Sequence, residues 1–256
     1  MKSDTEVKTL ANALKLLDLF IVPGGENRGW RIKDLAAETS VSELTVLRTL
    51  NTLVKHGYLE YRESSSLYSL SPKWLRASAV FRIHSTLRQV AIPHLAQLAG
   101  QYDACASVGI RFSEDVLLLD RVMKPALHAI FSPSGSRAAW HSTAIGKVVA
   151  AYSPVEDLEN YLKHAILRPY TEKTISDPDV LRAHLSEVRA RGYATDICEN
   201  AEGIYCIAAP IFERGKEVMA AISLAAPSDS LVREPALKGV VESLTRVSAC
   251  VAGLLW

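Results

Sequence analysis

Cys206, His141 and Asp196 are the residue types of a thiol-based catalytic site, in which a carboxylate orients an imidazole that activates a thiol. Nothing around them completes such a site. No nucleophile elbow surrounds Cys206, which falls in an apolar run expected to be the middle of a strand. Metal chemistry fares no better. The 7 histidines (His56, His84, His94, His128, His141, His164, His184) show neither His-x-x-x-His nor His-Glu-x-x-His spacing. The 4 cysteines (Cys105, Cys198, Cys206, Cys250) form no Cys-x-x-Cys pair and no disulfide framework, and read as reduced thiols. No catalytic residue, metal or cofactor is expected, and the chain reads as a binding protein rather than an enzyme.

The chemistry that does stand out is polar decoration on one helix. Over residues 42–56, Val46, Leu47, Leu50, Leu53 and Val54 share one arc of a helical wheel, and Thr45, Arg48, Thr52 and Lys55 the opposite one. Ser42 is placed to cap this helix and Glu43 suits its first turn. The first face packs and the second is free to enter a DNA groove. Leu44 sits on the polar arc, where it either contacts a thymine methyl or packs on the preceding helix. Arg48 reaches a guanine edge, a phosphate or only solvent, and Arg62 is a further candidate for phosphate contact.

These residues need elements to hold them. Residues 8–20 carry one apolar stripe (Leu10, Ala13, Leu14, Leu17, Leu19, Phe20) ended by Pro23-Gly24-Gly25, and a short helix fits Ile32–Thr39. After the third helix Gly57 closes, residues 58–62 and 67–70 flank a serine turn as a hairpin. Two helices, a short turn at Ser40-Val41 and a hairpin make a winged helix-turn-helix. Pro72 then opens a helical stretch through Trp74, Leu75 and Val80. Beyond it, helices are expected at 87–102, 145–151, 155–165, 181–191 and 236–254. Strands are expected at 106–111, 116–122, 126–131, from 193, and at 204–211 and 218–225 around a turn at 213–216. The pattern is α+β with a mainly antiparallel sheet.

Composition is that of a globular protein: 256 residues, 48% hydrophobic, 22% charged, net charge +1. No apolar run approaches the roughly 18 residues that span a bilayer, and residues 1–8 are polar and mixed in charge, unlike a signal or transit peptide. A cytoplasmic location without membrane attachment is expected. Residues 1–76 hold 11 Lys and Arg against 9 Asp and Glu, too slight an excess to argue DNA binding by itself, so the argument rests on where the charges sit.

With these elements in view, the chain resembles the IclR (isocitrate lyase regulator) family of transcription factors. The likeness is carried by residues 8–20 (KTLANALKLLDLF), 32–39 (IKDLAAET) and 45–58 (TVLRTLNTLVKHGY). In the second half it is carried by 132–136 (SPSGS), 141–147 (HSTAIGK), 170–177 (YTEKTISD), 191–193 (RGY) and 203–210 (GIYCIAAP). The ordered set spans nearly the whole chain. It implies a winged helix-turn-helix over residues 1–71, a linker helix over 72–84 and a GAF-like effector-binding and oligomerisation domain over 85–256. It further implies homodimers or tetramers on double-stranded operator DNA, and a regulator, here expected to be a repressor of a catabolic gene cluster.

The resemblance also implies effector-binding residues. Ala138, Trp140, Ala144, Ile145 and Gly146 belong to the loop and helix start, residues 138–146, that match the family's ligand site. Asp196, Ile204, Cys206 and Ser223 belong to the facing strands, and Leu127 is a further effector-binding candidate. Free amides at a helix start suit a small carboxylate. Each side chain has a plainer alternative: an inert buried thiol at Cys206, a hydroxyl satisfied within the sheet at Ser223, a helix cap at His141, a brace at a strand entry for Asp196. Two departures from the family pattern bear on the ligand. Ala225 stands where a second serine is common, and Trp140 where an aliphatic residue is common, so the expected effector is larger than a two- or three-carbon acid, aromatic or hydroxylated. A third departure, Glu43-Leu44 in place of a basic or small polar pair, means the operator sequence does not carry over from relatives. The competing expectation is a DNA-binding oligomer with no effector, whose core would be filled where the pocket should lie.

Overall fold

The computed structural model describes residues 7–21, 29–78, 82–213 and 217–255. The expected turn at Pro23-Gly24-Gly25, the end of the expected helix at Val80 and the Arg214-Gly215-Lys216 part of the last hairpin lie outside them. The chain divides into two compact units, Met1–Arg82 and Ile83–Trp256.

The first unit packs helices α1 (Lys8–Phe20), α2 (Ile32–Thr39) and α3 (Glu43–Lys55) with a hairpin of β1 (Leu59–Arg62) and β2 (Leu67–Leu70), followed by the short α4 (Lys73–Ser78). Ser42 caps α3, its Oγ accepting from the Thr45 amide at 3.4 Å, and Gly57 follows the helix with φ +74°. The core is Leu16, Leu17, Leu35, Val46, Leu50, Leu59 and Tyr68. Trp30 extends the hairpin by exchanging backbone hydrogen bonds with Tyr68 at 2.7 and 2.9 Å. That approach depends on Gly29, where a Cβ would stand 2.7 Å from the Tyr68 carbonyl oxygen. One expectation is corrected: Leu10 and Leu14 are 58% and 53% exposed. Helix α1 carries more apolar residues than one face holds, and it is the Leu16-Leu17 edge that meets the core.

The second unit is a six-stranded, wholly antiparallel sheet in the order β5-β4-β3-β8-β7-β6. Its strands are β3 (Cys105–Phe112), β4 (Asp115–Val122), β5 (Arg137–Ala139), β6 (Ala194–Ile197), β7 (Tyr205–Phe212) and β8 (Val218–Ala226). Side chains alternate between two cores, as a period of two requires. Ala106, Val108, Ile207, Ala209, Ile222 and Leu224 pack with α5 (Arg82–Tyr102) and α9 (Ala236–Leu255). On the other face Val116, Leu118, Ala208 and Ala221 pack with α6 (Ala144–Tyr152), α7 (Val155–His164) and α8 (Pro178–Arg191).

Residues 126–131, expected as a strand, are not one. Pro125–Leu127 form a single 3-10 turn, continued by hydrogen bonds from Ile130 and Phe131 to the Leu127 carbonyl. Pro125 lacks the donor a strand needs and fixes φ, so the segment leaves the sheet, and the three-residue β5 takes its place beside β4.

Strand β4 holds one irregularity. Ser107 pairs with Arg121 and Val108 with Asp120, but Gly109 pairs with Leu118, leaving Leu119 as an extra residue. Such a bulge switches which residues face which side. Before it Val116 and Leu118 face α6; after it Arg121 does, level with Ser107.

Candidate DNA-reading face and effector cavity

On α3, Leu44, Thr45, Arg48, Thr52 and Lys55 are all exposed, with Val46 and Leu50 fully buried behind them. Leu44 is 58% exposed, so that more than half of its side chain stands open to solvent. The exposed Thr52 hydroxyl donates to the Arg48 carbonyl at 2.8 Å. Arg62 is exposed at the end of β1. The unit therefore offers one continuous polar helix face with a single exposed leucine in its first turn.

In the second unit a cavity of about 140 Å³ lies between the sheet and the start of α6. The structure brings Ala138, Ala144, Ile145, Asp196, Ile204, Cys206 and Ser223 to its wall. Their positions follow from register. Asp196 pairs with Cys206 across β6 and β7, and Cys206 with Ala225 across β7 and β8, so all point to the α6 face. Helix α6 starts at Thr143, whose Oγ1 accepts from the Gly146 amide at 3.0 Å. The amides of Ala144 and Ile145 have no acceptor within hydrogen-bond distance among the described residues. Donors left open at a helix start favour an anion.

Behind this wall lies a buried charge cluster. Lys147 is fully buried, donating to Glu199 Oε1 at 2.5 Å and to the Thr195 carbonyl at 3.0 Å. Burial lowers its pKa and Glu199 counteracts that. Asp196 braces the following turn, Oδ1 accepting from the amides of Glu199 at 2.7 Å and Asn200 at 3.3 Å. Burial, reinforced by the Glu199 charge, pushes its carboxyl up to about 6. Burial, the Asp196 charge and the hydrogen bond to Asp196 hold the Cys206 thiol well above its usual range.

Other expected residues stand elsewhere. Leu127 and Trp140 do not line the cavity; Trp140 is fully buried against Tyr161, ring centroids 5.1 Å apart. Gly146 is likewise absent from the wall. Its amide is taken by Thr143, and it is a glycine because a Cβ would sit 2.0 Å from the Ala139 carbonyl oxygen. His141 does not cap α6. It bonds Tyr161 Oη and the Arg168 carbonyl, each at 3.0 Å, so its partners are not Cys206 or Asp196 and the three form no catalytic relay. Sequence reasoning missed Arg121, Phe131 and Asn200 on the wall. A lone arginine in the run VLLLDRV was the available signal, but its face depends on the bulge. Among the described residues no group of three or more His, Cys, Asp or Glu is placed to hold a metal, and no helix is long and apolar enough to cross a membrane.

Comparison with known proteins agrees with this division. The IclR helix-turn-helix domain matches residues 9–63, and the bacterial transcriptional regulator IclR C-terminal domain matches residues 82–251. The chain is 33% identical over 222 residues to the HTH-type transcriptional regulator BhcR of Paracoccus denitrificans, covering 87% of this chain and 78% of that one. It is 31% identical over 232 residues to the glycerol operon regulatory protein of Streptomyces coelicolor, covering 91% and 89%. In fold it is similar to an IclR homolog from Microbacterium hydrocarbonoxydans solved in complex with 4-hydroxybenzoate, with a TM-score of 0.81 at 22% identity, covering 96% of this chain and 98% of that one. These relatives are regulators and not enzymes, and the chain belongs to the IclR family of DNA-binding transcriptional regulators.

Proposed function

We propose that the protein represses a catabolic gene cluster and is switched by a small carboxylate, aromatic or hydroxylated, held in the cavity at the start of α6. The single observation that carries this reading is the cavity itself, in which the open amides of Ala144 and Ile145 meet the polar side chains of Asp196, Cys206 and Ser223. At about 140 Å³ it is comparable to an apolar cavity that accepts one benzene ring in another protein. A ring-sized ligand fits it better than a two-carbon acid, in keeping with the 4-hydroxybenzoate bound by the Microbacterium relative. The competing reading, a DNA-binding oligomer without an effector, expects this space to be filled, and the cavity supports the sensor reading over it.

In this reading Leu44, Thr45, Arg48 and Thr52 read or grip the major groove of a palindromic operator, and Arg62 contacts a phosphate from the wing. The working form is a cytoplasmic homodimer or tetramer. Residues 72–84 link the DNA-binding domain, residues 1–71, to the effector domain, residues 85–256. Ligand changes operator affinity to the extent that it binds one conformation better than the other.

The test is a thermal-shift screen of the full chain against aliphatic, hydroxylated and aromatic carboxylates, beside a Cys206→Trp variant that fills the cavity. A ligand at a hundredfold excess over its dissociation constant stabilises by about 2.7 kcal/mol. A hit lost in a folded variant is the expected result. No hit from any acid, with the variant melting far below wild type, refutes the sensor reading.

A further inference from the structure

We infer that Arg121 is the cationic anchor of the effector site and that Asp196 takes a hydrogen-bond donor at its far end, so that the effector is a monocarboxylate bearing a hydroxyl or amine opposite its acid group. This rests on the cavity being an effector site, and adds to it which residue binds the acid, which way round the ligand lies and which acids are refused.

Two arginines line the cavity, and they differ in what balances their charge. Arg137 is paired with Asp115 at 2.6 Å and lies over the Phe112 ring. Arg121 has no carboxylate within ion-pair distance among the described residues. Its Nε donates to Ser107 Oγ at 2.9 Å, its Nη1 to the Ser132 carbonyl, and its guanidinium lies 5.7 Å from the Phe131 centroid. Neutral partners thus hold the group in place, and Nη2 has no acceptor among the described residues. Asp120, next in sequence, does not serve: it faces the other way and pairs with Arg88 at 2.6 Å. A positioned guanidinium without a counter-charge, in a partly enclosed site, is the arrangement that recognises a carboxylate.

The opposite wall carries the opposite chemistry. Asp196 is 1% exposed, and Lys147, the cation behind it, is already engaged by Glu199. A second carboxylate on the ligand would meet Asp196 as a like charge, whereas a hydroxyl or amine would donate to it.

Register sets the span. Arg121, Ser107 and Ser223 lie in one cross-strand row, and Cys206 and Asp196 in the row two residues along. Arg121 and Asp196 therefore rise from strands four spacings apart, about 19 Å. The Arg121 side chain crosses one spacing to reach Ser107. That leaves three spacings, about 14 Å across the strands, and the two-residue step along them before the Asp196 backbone, part of which the Asp196 side chain spans. A ring with a hydrogen-bonding group at each end reaches further toward both walls than glyoxylate does.

The plainer role for Arg121 is to pin residues 130–132 over the cavity through Ser132 and Phe131. Loosening that segment would weaken every ligand alike, and this separates the two roles. Titration calorimetry on the full chain compares 4-hydroxybenzoate, benzoate, 4-hydroxybenzamide and terephthalate against wild type, Arg121→Gln, Arg121→Lys and Asp196→Asn. In wild type 4-hydroxybenzoate binds tightest and terephthalate weakest. Arg121→Gln lowers affinity for 4-hydroxybenzoate about 10- to 100-fold, the worth of a charge-assisted hydrogen bond, while the neutral amide loses at most a few-fold. Arg121→Lys lies between, and Asp196→Asn narrows the preference against terephthalate. An equal loss of acid and amide in Arg121→Gln, unchanged acid binding there, or terephthalate binding best in wild type overturns the inference and leaves the sensor reading standing. Wild type that binds none of the four probes up to millimolar concentration overturns this inference and the ring-sized carboxylate reading together.

Discussion

Replacing Asp196 with asparagine should stabilise the effector unit at neutral pH and leave it little changed in acid. The carboxyl is 1% exposed and raised from 3.8 to about 6, chiefly by burial. The folded state thus holds this proton more tightly than the unfolded chain does. The cost of ionising Asp196 is fully present above about pH 6 and fades as pH falls toward about 3.8. That gap in pKa corresponds to about 3 kcal/mol. Asparagine keeps an oxygen for the amides of Glu199 and Asn200 while shedding the charge. After allowing for imperfect amide packing, the expected gain near pH 7.5 is about 1–3 kcal/mol, shrinking toward zero near pH 4. His184 works in the opposite sense: burial, with the charges of Lys147 and Arg191, lowers its imidazole to about 4. Its contribution is lost as pH falls from about 6.5 toward about 4, so the wild-type profile mixes two trends and only the wild-type-minus-variant difference isolates Asp196. Urea-dependent hydrogen exchange at the β7 amides reads the effector unit alone. A difference that stays constant from pH 7.5 to 4.5, or a variant less stable at neutral pH, would refute the assignment of burial as the cause.

Three further outcomes are expected. Gly146→Ala must displace either α6 or β5, since its Cβ would meet the Ala139 carbonyl at 2.0 Å; a loss of about 2–4 kcal/mol in urea unfolding is expected, and a loss under about 0.5 would show that the two elements move apart freely. Lys147→Met leaves Glu199 buried without its partner and should cost about 3–5 kcal/mol, largely restored by adding Glu199→Leu; a double variant no better than the single would mean that the pair is not the unit of stability. Leu44→Ala should flatten preference at one A·T position of a selected operator by about 1 kcal/mol while leaving salt dependence unchanged; a binding profile unaltered at every position would remove Leu44 from base reading.

The DNA-binding half was nearly transparent to sequence reasoning because its rules are local: wheel periodicity, a capping serine and a glycine after α3 placed Ile32–Thr39 and Glu43–Lys55 to within a residue. It failed at Leu10 and Leu14, where helix α1 has two apolar edges and periodicity does not say which one the core takes. In the effector unit, sequence located most helices and strands but not β5, since three residues carry no period, and it mistook residues 126–131 for a strand because apolar content outweighed Pro125. The family pattern pointed to residues on the cavity wall such as Ala144, Asp196 and Cys206 but also to Leu127, Trp140 and Gly146, which stand off it, and it was silent where the wall depends on strand pairing. Trp140 looked like a pocket residue because an aromatic at that position changes bulk, yet its ring turns to Tyr161. Arg121 was invisible for the converse reason: strict alternation would set it beside Leu117 and Leu119, away from α6.

That extra residue, Leu119, has an evolutionary consequence. The dipeptide Asp120-Arg121 carries opposite charges on opposite faces of β4, and the pairing offset alone decides which one meets the cavity. Were the regular register to continue past Gly109, Ser107 would face Asp120, and the wall would attract cations with no change in composition. Inheritance of ligand preference in such a strand therefore runs through length as much as through identity. A relative that keeps the Asp-Arg pair but not the bulge would turn the carboxylate to the cavity, and one that substitutes freely around an intact bulge would still present the guanidinium there.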